Sequence, residues 1–211
     1  MTSGRSYRRG MTSRSVSASS SFMAPGSPVA RLARAAARRW PAALGLTLGV
    51  LQLTTDDPHS ITGALLVLML ATTGYIVIAA LVRPGWSWPV IGALVALVLA
   101  TRLTSAGPAT ELAGIVAIIL AAIAIGFLRG TWTRTDLCRW QPWAAVAFLA
   151  ISLGALWLSP EAGRVLIAAG LIGHTVWDLV HWRAHAVVSR SLAEWCAALD
   201  LTLGLGVLLL V

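Results

Sequence analysis

The residues whose types and spacing suit chemistry gather near the C-terminus. Residues 173 to 185 read GHTVWDLVHWRAH, so His174, Asp178, His181 and His185 follow one another at steps of four, three and four. On a helix those steps place all four side chains within a sector of roughly 60°. Asp200 follows in the next apolar run, with Cys196 one turn before it. A short connection joins the two runs, so Asp200 stands near His174 or Asp178 if the two faces turn toward each other. Spacing does not set that rotation.

Two chemistries use such a set. Imidazole and carboxylate groups ligate zinc or iron, and three protein ligands with an open position make a hydrolytic or oxidative centre; His174, Asp178 and His181 are the candidate metal ligands. Without a metal, Asp178 or Asp200 in apolar surroundings donates a proton to a lipophilic substrate while His174 or His181 orients it. Asp200, Asp178, His174 and His181 are therefore the candidate catalytic residues. Simpler roles stand beside these. His174 and Asp178 can satisfy each other as an i, i+4 pair, His185 falls at the headgroup level, and Cys196 suits a small apolar filler. Ser191-Leu192-Ala193-Glu194 reads as a capping box opening the last helix, which accounts for Glu194.

The elements that position these residues are membrane spans. Of 211 residues, 57% are hydrophobic and 11% charged, a surface too apolar for a soluble domain of this size. Apolar runs fall at 41–54, 60–82, 88–104, 109–128, 142–159, 161–185 and 191–211, with Asp57-Pro58, Pro84-Gly85, Gly107-Pro108 and Ser159-Pro160 as punctuation. About 20 residues make a span. Tryptophans such as Trp40, Trp86, Trp88 and Trp143 mark the run edges. The expected fold is an all-α polytopic bundle of about seven transmembrane helices, residues 41–211, in the cell membrane. Residues 1–40 form a disordered basic cytoplasmic tail, in which Arg31 to Arg39 suits a short helix on the inner membrane surface.

Arginine placement orients the bundle. All 16 basic residues are arginine, and with seven spans fourteen of them lie inside against Arg102 and Arg164 outside. Lysine is absent, which excludes a retinal Schiff base or a lysine nucleophile. The formal charge of +8 sits in the tail and between apolar runs, where topology and anionic lipid explain it; no nucleic-acid module is present. The two cysteines have no CxxC spacing and read as reduced thiols. Asp56, Asp57 and His59, with Arg102 and Glu111, form a weaker outward-facing group of solvated or snorkelling charges.

The pattern Trp177-Asp178-x-x-His181-x-Arg183, followed by Glu194-Trp195-Cys196-x-x-x-Asp200, resembles the C-terminal part of small polytopic bacterial membrane proteins of no assigned activity. The resemblance implies that these residues belong together and carries no function. His181 to His185 is an HxxxH, similar to the late-helix zinc motif of the seven-helix membrane hydrolases related to alkaline ceramidases and adiponectin receptors. That likeness implies zinc with further ligands from early helices, whereas the runs at 60–82 and 88–104 contain no His or Asp. The expected partners are the bilayer and a lipophilic substrate. Three readings remain open: a membrane-embedded enzyme, a proton-coupled transporter using the same residues as a relay, and a non-catalytic subunit whose polar pairs fix helix packing.

Overall fold

The computed structural model describes residues 27–55, 60–104, 107–134 and 136–209, together with the backbone but not the side chain of Ala36. Most of the basic tail, and Asp56, Asp57 and His59, lie outside them. Among the described residues every regular element is helical. The chain divides into two units, 1–37 and 38–211. In the segment expected to be a disordered tail, Pro28–Arg38 forms a helix, α1, with Arg31, Arg34 and Arg38 along one side.

In the second unit the helices are α2 (Trp40–Thr55), α3 (Thr62–Leu81), α4 (Ser87–Leu103), α5 (Pro108–Leu128), α6 (Gln141–Ala155), α7 (Pro160–Ala184) and α8 (Arg190–Leu209). Five are long and apolar enough to cross a membrane: α3, α4 with its preceding 3-10 turn, α5, α7 and α8. At 16 and 15 residues, α2 and α6 are apolar but shorter. They extend about 24 and 22 Å against a hydrocarbon core of about 30 Å.

Helix α3 packs against α4, α5, α6, α7 and α8, which makes it the central element. Leu68, Met69, Tyr75, Ile76 and Ile78 are almost wholly buried along it. Close approaches give the direction of each pair. A Cβ on Gly170 would lie 2.8 Å from Ile151 of α6, and one on Gly163 2.6 Å from the Ala155 carbonyl, so α6 and α7 run antiparallel. Gly204 packs on Ala168 and Ile172, and Asp200 meets His174, so α7 and α8 are antiparallel too. Helix α2 instead tracks α8 in parallel. A Cβ at Gly45 would lie 3.0 Å from the Leu199 backbone nitrogen and 3.1 Å from Ala198, Gly49 sits on Thr202, and Leu53 fills the space over Gly206. Gly45 and Gly49 are four apart, so two adjacent turns of α2 present no side chain there and the helix axes close up.

The termini show which residues fix the hairpin of α7 and α8. Ser159 caps α7 by accepting from the Ala162 N–H at 3.4 Å, with Pro160 in the first turn. At the other end His185 adopts a left-handed conformation and ends the helix. The expected capping box is displaced by two residues. Ser189, not Ser191, caps α8 by accepting from the Leu192 N–H at 3.3 Å. Ser191 is occupied as acceptor for the Trp88 indole N–H at 3.0 Å, and Glu194 pairs with Arg39 across 3.1 Å. Ser87 at the start of α4 accepts from the Ser189 N–H at 2.9 Å, which ties the turn to α4.

If the α2 and α8 contact is set by absent side chains, Gly45→Val forces the backbones apart and lowers the melting temperature in detergent, by an over-packing cost of about 1–3 kcal/mol. Gly92→Val, where a Cβ meets nothing within 4 Å, leaves it unchanged. Differential scanning fluorimetry of both variants checks this.

Candidate functional site

Three elements converge on one polar cluster inside the bundle. Helix α7 brings His174 and Asp178, one turn apart, and α8 brings Asp200. All three are fully buried. His174 Nδ1 lies 2.8 Å from Asp200 Oδ2 and 3.3 Å from Asp178 Oδ2. One nitrogen therefore faces two carboxylate oxygens, and a single N–H can serve only one of them well. The shorter contact goes to Asp200 rather than to the i, i+4 neighbour. Asp178 Oδ2, Asp200 Oδ1 and His174 Nε2 are left buried without a hydrogen bond. The three residues each offer one ligand atom within 4.8 Å of the others.

The central helix supplies the fourth member. The Tyr75 hydroxyl donates to Asp178 Oδ1 at 2.5 Å. Its ring stands between those of His174 and His181, with centroids 5.2 and 5.1 Å away and interplanar angles of 87° and 85°. Tyr75 escapes a search for His, Asp and Glu. Its signal in the sequence is that only two tyrosines occur and one of them lies inside a long apolar run.

His181 shares the helix face but not the cluster. Its Nδ1–H donates to the Trp177 carbonyl at 2.7 Å, so Nε2 is the acceptor and receives the Gln141 amide N–H at 2.6 Å. Both nitrogens are engaged, which leaves His181 no lone pair for a metal. Of the candidate ligands His174, Asp178 and His181, the first two lie together with Asp200, and His181 stands apart from that donor group. Gln141 opens α6 and is almost fully buried, which its place in the sequence just before the apolar run at 142–159 does not reveal. His185 is exposed beyond the end of α7, so the HxxxH pair does not converge.

An apolar cavity of about 330 Å³ lies against the cluster. Its wall includes Leu51 of α2, Leu70 of α3, Leu94 of α4, and Trp195, Cys196 and Asp200 of α8. Leu51 and Val95, also in its lining, are exposed at the rim, on a surface the hydrocarbon would cover. Asp200 is the residue common to the polar cluster and the cavity. Below it, Trp40, Trp88 and Trp195 form a ladder with centroids 5.4 and 5.6 Å apart, and Arg190 lies 4.2 Å over the Trp182 ring. These contacts place aromatic and arginine side chains at the same end of the bundle.

Of the outward-facing group, Arg102 and Glu111 pair at 3.5 Å across the Gly107-Pro108 turn. In the loop before α6, Asp136 accepts from the Cys138 N–H at 3.0 Å and pairs with Arg134. Partial burial raises the Asp136 carboxyl, but those two partners outweigh it and hold it below its ordinary value. Burial, with the Asp136 carboxylate beside it, pushes the Cys138 thiol up to about 11.

Two outcomes follow from these contacts. Gln141→Leu strands His181 Nε2 in the bundle and costs about 1–3 kcal/mol, read as a fall in melting temperature. Cys138, whose ordinary value would be 9.0, carries about 100-fold less thiolate at pH 8 than an ordinary thiol. Maleimide labelling of the native protein in detergent is accordingly slow at Cys138 and becomes fast only on denaturation. Comparisons with known protein families, with curated proteins and with solved structures each find no match, so the site rests on its own geometry.

Proposed function

We propose that the chain is a membrane-embedded enzyme that acts on a lipophilic substrate, of lipid or isoprenoid type, through His174, Asp178 and Asp200. The observation that carries this reading is the double position of Asp200, fully buried in a polar cluster and at the same time part of the wall of an apolar cavity. Ionisable groups in a span are costly, and a cluster that leaves three polar atoms without a hydrogen bond is a poor device for holding helices together. A pocket lined by apolar side chains with a few convergent polar groups is the usual form of a small-molecule site.

In this reading the substrate's hydrocarbon part lies between α2, α3 and α4 against Leu51, Leu70 and Leu94, and its reacting group meets Asp200, behind which His174 stands. Asp200 is the group that exchanges a proton with the substrate, and His174, 2.8 Å away, stabilises the charge that this leaves behind. Tyr75 and Gln141 are positioning residues, the first through Asp178 and the second through His181.

Seven crossings with a cytoplasmic N-terminus fit the helix directions. Two parallel helices need an odd number of crossings between them; α3, α4, α5 and α7 supply four, so α6 is the fifth between α2 and α8. The arginine excess then faces the cytoplasm of a cell membrane.

The test is comparative lipid mass spectrometry. Membranes holding the wild-type protein, incubated with extracted membrane lipids, gain a product and lose a substrate that membranes holding Asp200→Asn do not, with turnover reduced at least about 100-fold while the detergent-purified variant stays monodisperse. Identical lipid profiles from wild type, Asp200→Asn and empty membranes contradict the enzyme reading.

A further inference from the structure

The cluster deepens that reading when its charge and its spacing are taken together. Two fully buried carboxylates face one imidazole, and among the described residues His174 is the only ion-pair partner of either. The Tyr75 hydroxyl donates a hydrogen bond but no charge. With His174 neutral the two carboxylates leave two negative charges in the bundle, and with it protonated one remains. Low-dielectric surroundings do not hold such a charge without a counter-charge or a proton; a charged His174 with one protonated carboxyl is one neutral state of the cluster, and a bound cation gives another. One divalent cation with a neutral imidazole and two carboxylates sums to zero.

Distances favour a small transition-metal ion. Ligands about 2.0–2.1 Å from a tetrahedral centre stand about 3.3–3.4 Å apart. His174 Nδ1 and Asp178 Oδ2 are already 3.3 Å apart, and His174 Nδ1 and Asp200 Oδ2, at 2.8 Å, need only open by about half an ångström. Each of the three residues offers a ligand atom within 4.8 Å of the others, and the Asp178 oxygen 3.3 Å from His174 has no hydrogen bond. Its other oxygen is fixed by Tyr75 at 2.5 Å, the arrangement by which outer groups orient a ligating carboxylate. An imidazole ligand disfavours magnesium and calcium, which take oxygen, and suits zinc or iron.

We infer that His174 Nδ1, Asp178 Oδ2 and Asp200 Oδ2 bind one divalent transition-metal ion, zinc or iron(II), with its remaining coordination position reached from the apolar cavity that Asp200 lines. The inference rests on the site reading proposed above and names what that site holds. His181, one turn away, lies outside the donor set because both its nitrogens are engaged. With the ion bound, Asp200 and His174 would serve as its ligands, and the ion would polarise an oxygen of the lipophilic substrate in place of the proton exchange at Asp200.

The test measures metal and not turnover, so it can fail while the enzyme reading stands, and the reverse. The full chain, carrying a tag without histidines, is purified in detergent without chelators, and zinc and iron are counted by plasma mass spectrometry. About one ion per chain is expected in the wild type and in His181→Gln, and less than a tenth of that in His174→Gln and Asp200→Asn. Because a variant can fail to fold, the wild type itself gives a second readout. Removing metal with a chelator lowers its melting temperature, and adding zinc or ferrous iron alone restores it. Metal retained at wild-type level in folded His174→Gln or Asp200→Asn marks an adventitious ion only and overturns the inference. So does chelator-treated wild type whose melting temperature neither zinc nor iron shifts.

Discussion

Two carboxylates enclosed by apolar side chains need compensation within hydrogen-bonding reach, and the arrangement of this bundle follows from supplying it. Asp178 and Asp200 lie on consecutive helices that a five-residue turn folds back on each other, and His174 one turn above Asp178 reaches both. The central helix α3 runs beside α7 closely enough for Leu68 to touch Gly170 and Tyr75 to reach Asp178. Gly170 leaves room on α7 for the Ile151 and Leu68 side chains of α6 and α3, Gly204 brings α8 against the α7 backbone at Ala168, and the polar atoms then meet. Compensation nevertheless stays incomplete, since three buried polar atoms of the cluster have no hydrogen bond. That shortfall separates this cluster from the neighbouring pair of Gln141 and His181, where the polar atoms in contact are matched.

In the proposed reading the cavity gives the shortfall a use. Parallel packing of α2 on α8 through Gly45 and Gly49 builds one wall, and α4, tied to the turn between α7 and α8 by Ser87, builds the other. Between them the apolar lining ends at Asp200. A substrate dissolved in the bilayer would thus meet the polar cluster without first crossing water, which also keeps the electrostatics of the site strong.

Much of the fold was legible because hydrophobicity and punctuation are properties of segments. The helices fall on the apolar runs, Pro108 and Pro160 open α5 and α7, and the helical step of 3.6 residues put His174, Asp178 and His181 on one face. Rotation of one helix about its axis relative to another is set by packing, so the sequence left open whether Asp200 faces His174. Tyr75 and Gln141 were passed over for a related reason: hydroxyl and amide groups stand out as site residues only once their partners are known. The capping box failed locally, because Ser191 is drawn to Trp88 of another helix and Ser189 caps instead. Helix length was the coarsest reading, since α2 and α6 are shorter than a full span and gain their place in the bundle by contact with α8 and α7.

The central claim is that the cluster exists for chemistry and not to hold the helices together. The most direct measurement is the melting temperature of Tyr75→Phe/His174→Leu/Asp178→Leu/Asp200→Leu, which replaces the whole polar set by apolar side chains and strands none of its members. Buried ionic networks exchanged for well-packed apolar groups commonly leave stability unchanged or raise it. A melting temperature equal to or above that of the chelator-treated, metal-free wild type, with a monodisperse protein, is the result this account predicts. A large fall, or a chain that no longer assembles, would mean that the polar contacts themselves hold the bundle together and would contradict it.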